Sequence, residues 1–236
     1  MASSLIKFGK KIKNISFIKP IYNVYAFYKD RKRNKAMTKH SIEIIRKVSD
    51  ISFSLDRYIW LDYGTLLGAY RDNNIISHDI DIDLSCFIDD KDDIHNKFIT
   101  SGFKLLYIYE PINKNNINKL IVQYTYLYKN VTIDLFFYAK PNNKNIITTY
   151  FFSYIPTGPY SGNYRVMEVF NPLLGFKKIT FLDSTIWIPE NTEEYLKENY
   201  GESFLTPDKN YDYITSAKNY NEISEDQCLA KKIILK

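Results

Sequence analysis

Residues 79–87 read Asp-Ile-Asp-Ile-Asp-Leu-Ser-Cys-Phe, and no other stretch so narrows the folds open to this chain. A period of two is that of an extended strand, whose side chains alternate between faces. Asp79, Asp81 and Asp83 then share one face, with Ile80, Ile82 and Leu84 on the other. The apolar face calls for a covering layer. The acidic face must meet water or a cation, because clustered carboxylates removed from water are costly unless paired. Alone, such a D-x-D strand also fits a solvated sheet edge, so its setting has to decide between the two readings.

Upstream, Ile42, Ile45, Val48, Ile51 and Leu55 recur at threes and fours, predicting an amphipathic helix over 38–56 with Thr38 or Ser41 as cap. Tyr58-Ile59-Trp60-Leu61 predicts a short strand that runs into Asp62-Tyr63-Gly64-Thr65, and Leu66 to Tyr70 begins a second helix. Downstream, a helix is expected over 92–101. Strands are expected at 119–128 and 131–139, joined by a tight turn at Lys129-Asn130. In the second of these strands Thr132, Asp134 and Phe136 share a face. Four prolines (Pro141, Pro156, Pro159, Pro172) make 140–175 look like loops. A strand over 178–188 and a short helix over 191–200, ended by Gly201, follow; beyond Thr206 the pattern fades.

Strand, Gly-Thr turn, helix and acidic strand form an order suited to phosphoryl chemistry. Gly64 lets backbone approach a ligand closely, and with Thr65 it opens a helix whose N–H groups can hold anionic oxygens. Asp81 and Asp83 can converge on a hard divalent cation, Mg²⁺ or Mn²⁺. Asp134, an acid in an otherwise apolar strand, is the expected third metal carboxylate and could accept the proton of an attacking hydroxyl. Asp81, Asp83 and Asp134 are thus the expected catalytic and metal-binding set.

Trp60-Leu61-Asp62-Tyr63-Gly64-Thr65-Leu66-Leu67-Gly68-Ala69-Tyr70-Arg71, followed by Ile75-Ile76-Ser77-His78-Asp79-Ile80-Asp81-Ile82-Asp83, resembles the signature of the LicD/fukutin family. Tyr195-Leu196-Lys197-Glu198-Asn199-Tyr200-Gly201 is similar to a second family element. The resemblance implies an α+β, nucleotidyltransferase-like mixed sheet flanked by helices. It also implies transfer of a phospho-group, phosphocholine or a polyol phosphate, from a CDP-linked donor to a glycan of the lipopolysaccharide or capsule kind or its lipid-linked precursor. Gly64 and Thr65 match the phosphate-facing turn, and Arg71 matches an arginine expected on donor phosphate or on Asp79, itself placed among the substrate-binding residues. His78 and Ile80 depart from the pattern, standing where the family usually has tryptophan and often a further aspartate.

Charge divides the chain. Residues 1–47 hold thirteen Lys or Arg against two acids, whereas the net charge of the whole is only +5. The expected organisation is a basic amphipathic leader (1–35), a catalytic domain (36–207) and a C-terminal extension (208–236). Lysines interleaved with Leu5, Phe8, Ile12, Ile15 and Phe17, then Arg31-Lys32-Arg33, suit peripheral contact with an anionic membrane face, with docking of the apolar positions onto the chain's own body or onto a partner as the alternatives. No run is long enough to span a bilayer, and two distant cysteines form no disulfide framework, so the expected place is the cytoplasm, at the inner membrane face. Because the excess basic charge lies in the leader, a nucleic-acid substrate is disfavoured. Nucleotidyl transfer to a hydroxyl and a non-catalytic binding protein on the same fold are the other readings. The 21 tyrosines are expected mainly in packing, with a box round a quaternary ammonium as the lesser alternative.

Overall fold

The computed structural model describes residues 19–112, 123–140, 145–208, 211, 213–225 and 228–235. It is an α+β fold built on an eleven-stranded, mostly antiparallel sheet. The strands are β1 (Ile59–Leu61), β2 (Asp81–Phe87), β3 (Lys104–Pro111), β4 (Gln123–Tyr128), β5 (Val131–Tyr138), β6 (Ile146–Tyr154), β7 (Tyr164–Pro172), β8 (Phe176–Phe181), β9 (Ser184–Pro189), β10 (Tyr220–Ile223) and β11 (Leu229–Ile234). The helices are α1 (Lys19–Leu55), α2 (Tyr63–Asp72), α3 (Lys91–Thr100), α4 (Thr192–Tyr200) and α5 (Tyr213–Ser216). The order across the sheet is β10-β7-β11-β3-β4-β5-β2-β1-β9-β8, with β6 on the free side of β7. Among the described residues only β2/β5 and β1/β9 run parallel.

The acidic strand occupies the middle of this sheet, between β5 and β1. Its apolar residues Ile82 and Leu84 are fully buried beside Ile133 and Leu135 of β5, so the alternation reads directly into the structure. Helix α1 packs along β2, β5 and β9 through Met37, Ile44, Ile45, Val48 and Ile51. Ile42, expected on that apolar stripe, is instead 48% exposed, and Ile44 takes the inward position.

Several expectations need correction. Helix α1 is far longer than 38–56: Pro20 lies in its first turn, where a missing N–H is harmless, and the helix continues unbroken through residue 35. The boundary between leader and domain therefore falls inside one helix; residues 1–18 lie outside the described residues. Residues 140–175 are not mainly loop. They carry the nine-residue strands β6 and β7, paired along their whole length, while Pro156 and Pro159 sit in the connection and Pro172 ends β7. The strand expected over 178–188 is a hairpin, β8–β9, turning at Leu182-Asp183 with φ of 45° and 59°. Those are the mirror-turn angles that Lys129 (48°) and Asn130 (66°) adopt between β4 and β5. Leucine is a poor marker for such a turn, and the apolar run concealed it. Residues 208–236, read as an extension, supply β10 and β11, and β11 pairs with both β3 and β7 inside the sheet.

Candidate active site

The first turn of α2 and the start of β2 are locked together by local chemistry. Asp62 is the N-cap of α2: its carboxylate accepts the Tyr63 N–H at 2.8 Å. It is fully buried and also accepts the hydroxyls of Ser85 and Tyr195, the latter at 3.1 Å. Behind Tyr195 a chain of buried groups (Tyr138, Asn171, Asn199, Asn219) continues the hydrogen bonding into α4, β7 and the C-terminal segment. The Tyr195–Gly201 element thereby acquires a physical reason: Tyr195 secures the cap of the helix that carries the glycine turn.

Thr65 is buried, and its hydroxyl accepts the Asp83 backbone N–H at 2.9 Å. It joins helix to acidic strand. Gly64 lies where a Cβ would come within 3.3 Å of an Asp79 carboxylate oxygen and 3.5 Å of one from Asp83. The glycine makes room for those two carboxylates over the positive end of α2, a favourable place for negative charge.

Parallel register sets Asp83 directly beside Asp134, and antiparallel register sets Thr125 on the far side of Asp134. The Thr125 hydroxyl donates to Asp134. Asp81 pairs in register with Thr132. The carboxylates of Asp79, Asp81, Asp83 and Asp134 are thus brought together at one end of β2 and β5. Arg71 is drawn aside. Expected on donor phosphate or Asp79, its guanidinium is bound to neighbouring Asp72 at 2.8 Å, while it still draws the Asp79 pKa down through space.

Burial pushes every one of these acids upward, and repulsion from neighbouring carboxylates of the cluster adds to it at Asp79, Asp83 and Asp134. Asp83 stands well above the usual carboxylate range, from burial first and then from Asp81, Asp134, Asp62 and Asp79. Asp134 and Asp79 are raised to about 6 by burial and by Asp81, and Asp62 reaches about 6 through burial alone. Asp81 is raised by burial, with Arg33 pulling the other way.

The donor set, oxygen-only and short of positive charge, fits a hard divalent cation. In the arrangement shown, however, no three His, Cys, Asp or Glu side chains among the described residues are gathered round one point. Arg33 lies 3.6 Å from an Asp81 carboxylate oxygen, and the Thr125 hydroxyl engages Asp134.

A raised acid adds stability below its unfolded pKa and loses it as pH climbs through the folded value. In chelator, the melting temperature is therefore expected to fall as pH rises from 4 to above about 6. Mg²⁺ should restore it at pH 8 and do little at pH 5. Thermal melts with EDTA and with Mg²⁺ check this; a protein that gains stability between pH 5 and 8 in EDTA would contradict the charge-crowded reading.

A cavity of about 370 Å³ opens beside Asp83 and Asp134. Aromatic rings dominate its walls, among them Tyr63, Tyr107, Tyr109, Phe136, Tyr200 and Tyr213, with Gly64 and Gln123 between them. Tyrosine placement, read mainly as packing, thus also shapes the site. Other site residues escaped sequence reasoning. Arg33 falls within the basic stretch at 1–35, yet its guanidinium donates to Thr132 at 2.8 Å. Asn34 donates to the carbonyls of Ser77 and Asp79, clasping the loop ahead of β2. Lys232 of β11, from the patternless C-terminal segment, lies over Tyr107. No sequence signal marked these residues, because helix α1 and strand β11 reach the site only by folding. His78 is exposed, and Cys86 and Cys228 are buried free thiols.

A mixed α+β sheet carries neighbouring carboxylates beside an aromatic cavity, with Gly64 of the first turn of α2 among its walls. The family model described as "LicD/FKTN/FKRP, nucleotidyltransferase domain" matches residues 57–191, and the chain belongs to that family. It is 27% identical over 190 residues to the human protein named ribitol-5-phosphate transferase FKTN, covering 78% of this chain and 37% of that protein. The mouse protein of the same name is 27% identical over 188 residues, covering 77% of this chain and 36% of its own length. An uncharacterized Caenorhabditis elegans protein, T07A5.1, is 31% identical over 110 residues, 45% of this chain and 28% of its own. The chain spans little more than a third of the length of the FKTN relatives it matches.

Proposed function

We propose that the protein is a metal-dependent phosphotransferase of nucleotidyltransferase-like fold, moving a phospho-group from a CDP-activated donor to a hydroxyl of a glycan or its precursor. The single observation that carries this reading is the convergence of Asp83 and Asp134, register partners on parallel strands, with Asp79 and Asp81 close by and a cavity of about 370 Å³ alongside. The relatives bearing the name ribitol-5-phosphate transferase support phospho-group transfer as the chemistry.

In this reading Asp81, Asp83 and Asp134 would hold Mg²⁺ or Mn²⁺, which when bound supplies Lewis-acid stabilisation of phosphoryl oxygens. Gly64 leaves room for ligand oxygens beside the Asp79 and Asp83 carboxylates. Asp134, beside Asp83 and accepting the Thr125 hydroxyl, would serve the cluster as a metal ligand or as acceptor of the attacking hydroxyl's proton. The aromatic walls would hold the less polar parts of donor or acceptor and exclude water. Thr65 and the Asp62–Tyr195 pair position the turn without touching substrate.

The test is incubation of the full chain with CDP-ribitol, CDP-glycerol, CDP-choline and CDP-ethanolamine plus a glycan acceptor, with CMP release as the readout. At least one donor should release CMP in a manner that needs both acceptor and divalent cation. Release from none of them, or release insensitive to EDTA, would sink the proposal. Attachment of CMP itself to the acceptor would instead establish nucleotidyl transfer on the same carboxylates.

A further inference from the structure

Helix α1 buries one arc of its surface and leaves another bare. At about 100° per residue, Met37, Ile44, Ile45, Val48 and Ile51 fall together on the side that meets the sheet. Arg31, Lys32, Lys35, Lys39 and Arg46 fall together on a sector about 100° wide turned away from it, and all five are exposed. Exposed Ile42 and Phe53 lie in the same sector. Among the described residues its only acid is Asp50, at the edge, and no carboxylate pairs with any of the five cations. Bonds fix the borders: Glu43 holds Lys129 at 2.7 Å and Lys47 donates to the Ser101 carbonyl on one side, while Ser49 donates to the Thr185 carbonyl at 2.6 Å on the other. Beyond the last turns, the Lys178 ammonium of β8 lies 4.9 Å from the centre of the Phe53 ring and 4.8 Å from that of Trp187, so the hairpin adds a further cation to the face.

We propose that this outer face of α1 is a docking surface for an anionic phospholipid membrane, with the helix lying along the plane of the headgroups. Stability of the fold does not ask for the arrangement. Arg31 and Lys35, and again Lys35 and Lys39, are like charges four residues apart, a spacing that weakens a helix. A surface dense in negative charge relieves that repulsion, and basic side chains are drawn to the anionic lipids of a bilayer. The apolar members decide between polyanions. A nucleic-acid backbone gives Ile42 and Phe53 nothing to enter, whereas apolar side chains sink below the headgroups of a membrane. The face is also well placed. Arg33 and Asn34, between Lys32 and Lys35, turn inward to Asp81 and to the loop ahead of β2, so a membrane along α1 passes close to the acidic strand. Membrane contact thereby belongs to the described body of helix α1. It goes beyond the transferase reading and does not depend on it.

Co-sedimentation of the full chain with vesicles of phosphatidylcholine, with and without phosphatidylglycerol, at low and high salt, tests this without turnover. The chain should sediment with the anionic vesicles, less so as salt rises, and not with the neutral ones. Combined Arg31→Gln, Lys35→Gln, Lys39→Gln and Arg46→Gln should weaken binding about tenfold or more. The charge-keeping set Arg31→Lys, Lys35→Arg, Lys39→Arg and Arg46→Lys should bind as the parent does. Ile42→Ser should weaken binding severalfold and remove what survives high salt. Taking the same number of charges from Lys7, Lys10, Lys11 and Lys13 should cost far less. All these side chains on α1 are exposed, so each of its variants should keep the parent's melting transition. A parent that never sediments, or a glutamine variant that binds like the parent, would overturn the proposal. Equal losses from α1 and from residues 7–13 would show attraction by net charge without a built face, and would overturn it too. A DNA duplex that competes the chain off the vesicles, with Ile42→Ser behaving as the parent, would give the face to nucleic acid instead.

Discussion

Asp81→Asn and Asp83→Asn are each expected to lower CMP release by on the order of a thousandfold or more, since a metal ion contributes several kcal/mol of transition-state stabilisation. The fold should survive. Asparagine keeps the shape of aspartate and removes one member of a crowded set of charges, so melting temperatures in EDTA should hold or rise above pH 7. Asp83 should show the larger rise, because Asp79, Asp81, Asp134 and Asp62 all act against its ionisation. Asp81 already has Arg33 as counter-charge and should gain less. Steady-state rates together with thermal melts decide the matter: near-normal turnover in both variants would end the catalytic assignment, and collapse of the melt would make the carboxylates structural.

Gly68→Ala is expected to destabilise the protein although it sits inside a helix. Helix propensity favours alanine over glycine by about 1 kcal/mol. Packing opposes it: a Cβ at Gly68 would lie 2.5 Å from the Asn74 carbonyl oxygen, with Ile76 at 3.1 Å. A backbone carbonyl cannot rotate away as a side chain can, and overpacking costs about 1–3 kcal/mol. The same carbonyl belongs to the return of the chain toward Asp79, where the Asn73 and Asn74 N–H groups both bond back to the Gly68 carbonyl. A net loss of about 1–2 kcal/mol, read as a melting point lower by several degrees, is the expected result. Gly68→Val should cost more. An unchanged or higher melting point in the alanine variant would show that the 73–76 return can shift freely, and that this second motif glycine serves something other than close packing.

What could be read in the chain followed from periodicity and turn chemistry. The alternation in Asp81–Phe87 has only one extended solution with a buried face, and the structure has that face buried. Lys129-Asn130 marked its hairpin through Asn130, a residue that tolerates positive φ, whereas Leu182-Asp183 adopts the same geometry behind an apolar mask. Strands β6 and β7 were hidden by prolines that lie in their connection and at the end of β7, a matter of position rather than number. Helix α1 was legible only where its inward stripe is regular; its extension to Lys19 puts Pro20 in the first turn, and Ile42 on the outer side carries no packing information.

The division between sequence and tertiary structure at the site follows range. The glycine turn, the Asp81/Asp83 pair and the lone acid at Asp134 were legible because each is local: a period, a cap, a charge in an apolar run. That Asp134 stands beside Asp83 required the parallel register of β2 and β5, two strands with β3 and β4 between them in the chain. Arg33 and Lys232 required more, since nearly two hundred residues separate them. Neither has a neighbour in sequence that foretells its place, which is set by how α1 and β11 pack in the fold. Local backbone preference is written in adjacent residues. The electrostatic company a side chain keeps is decided by which distant elements pack against it, and here that packing holds a guanidinium against Asp81 and an ammonium over Tyr107.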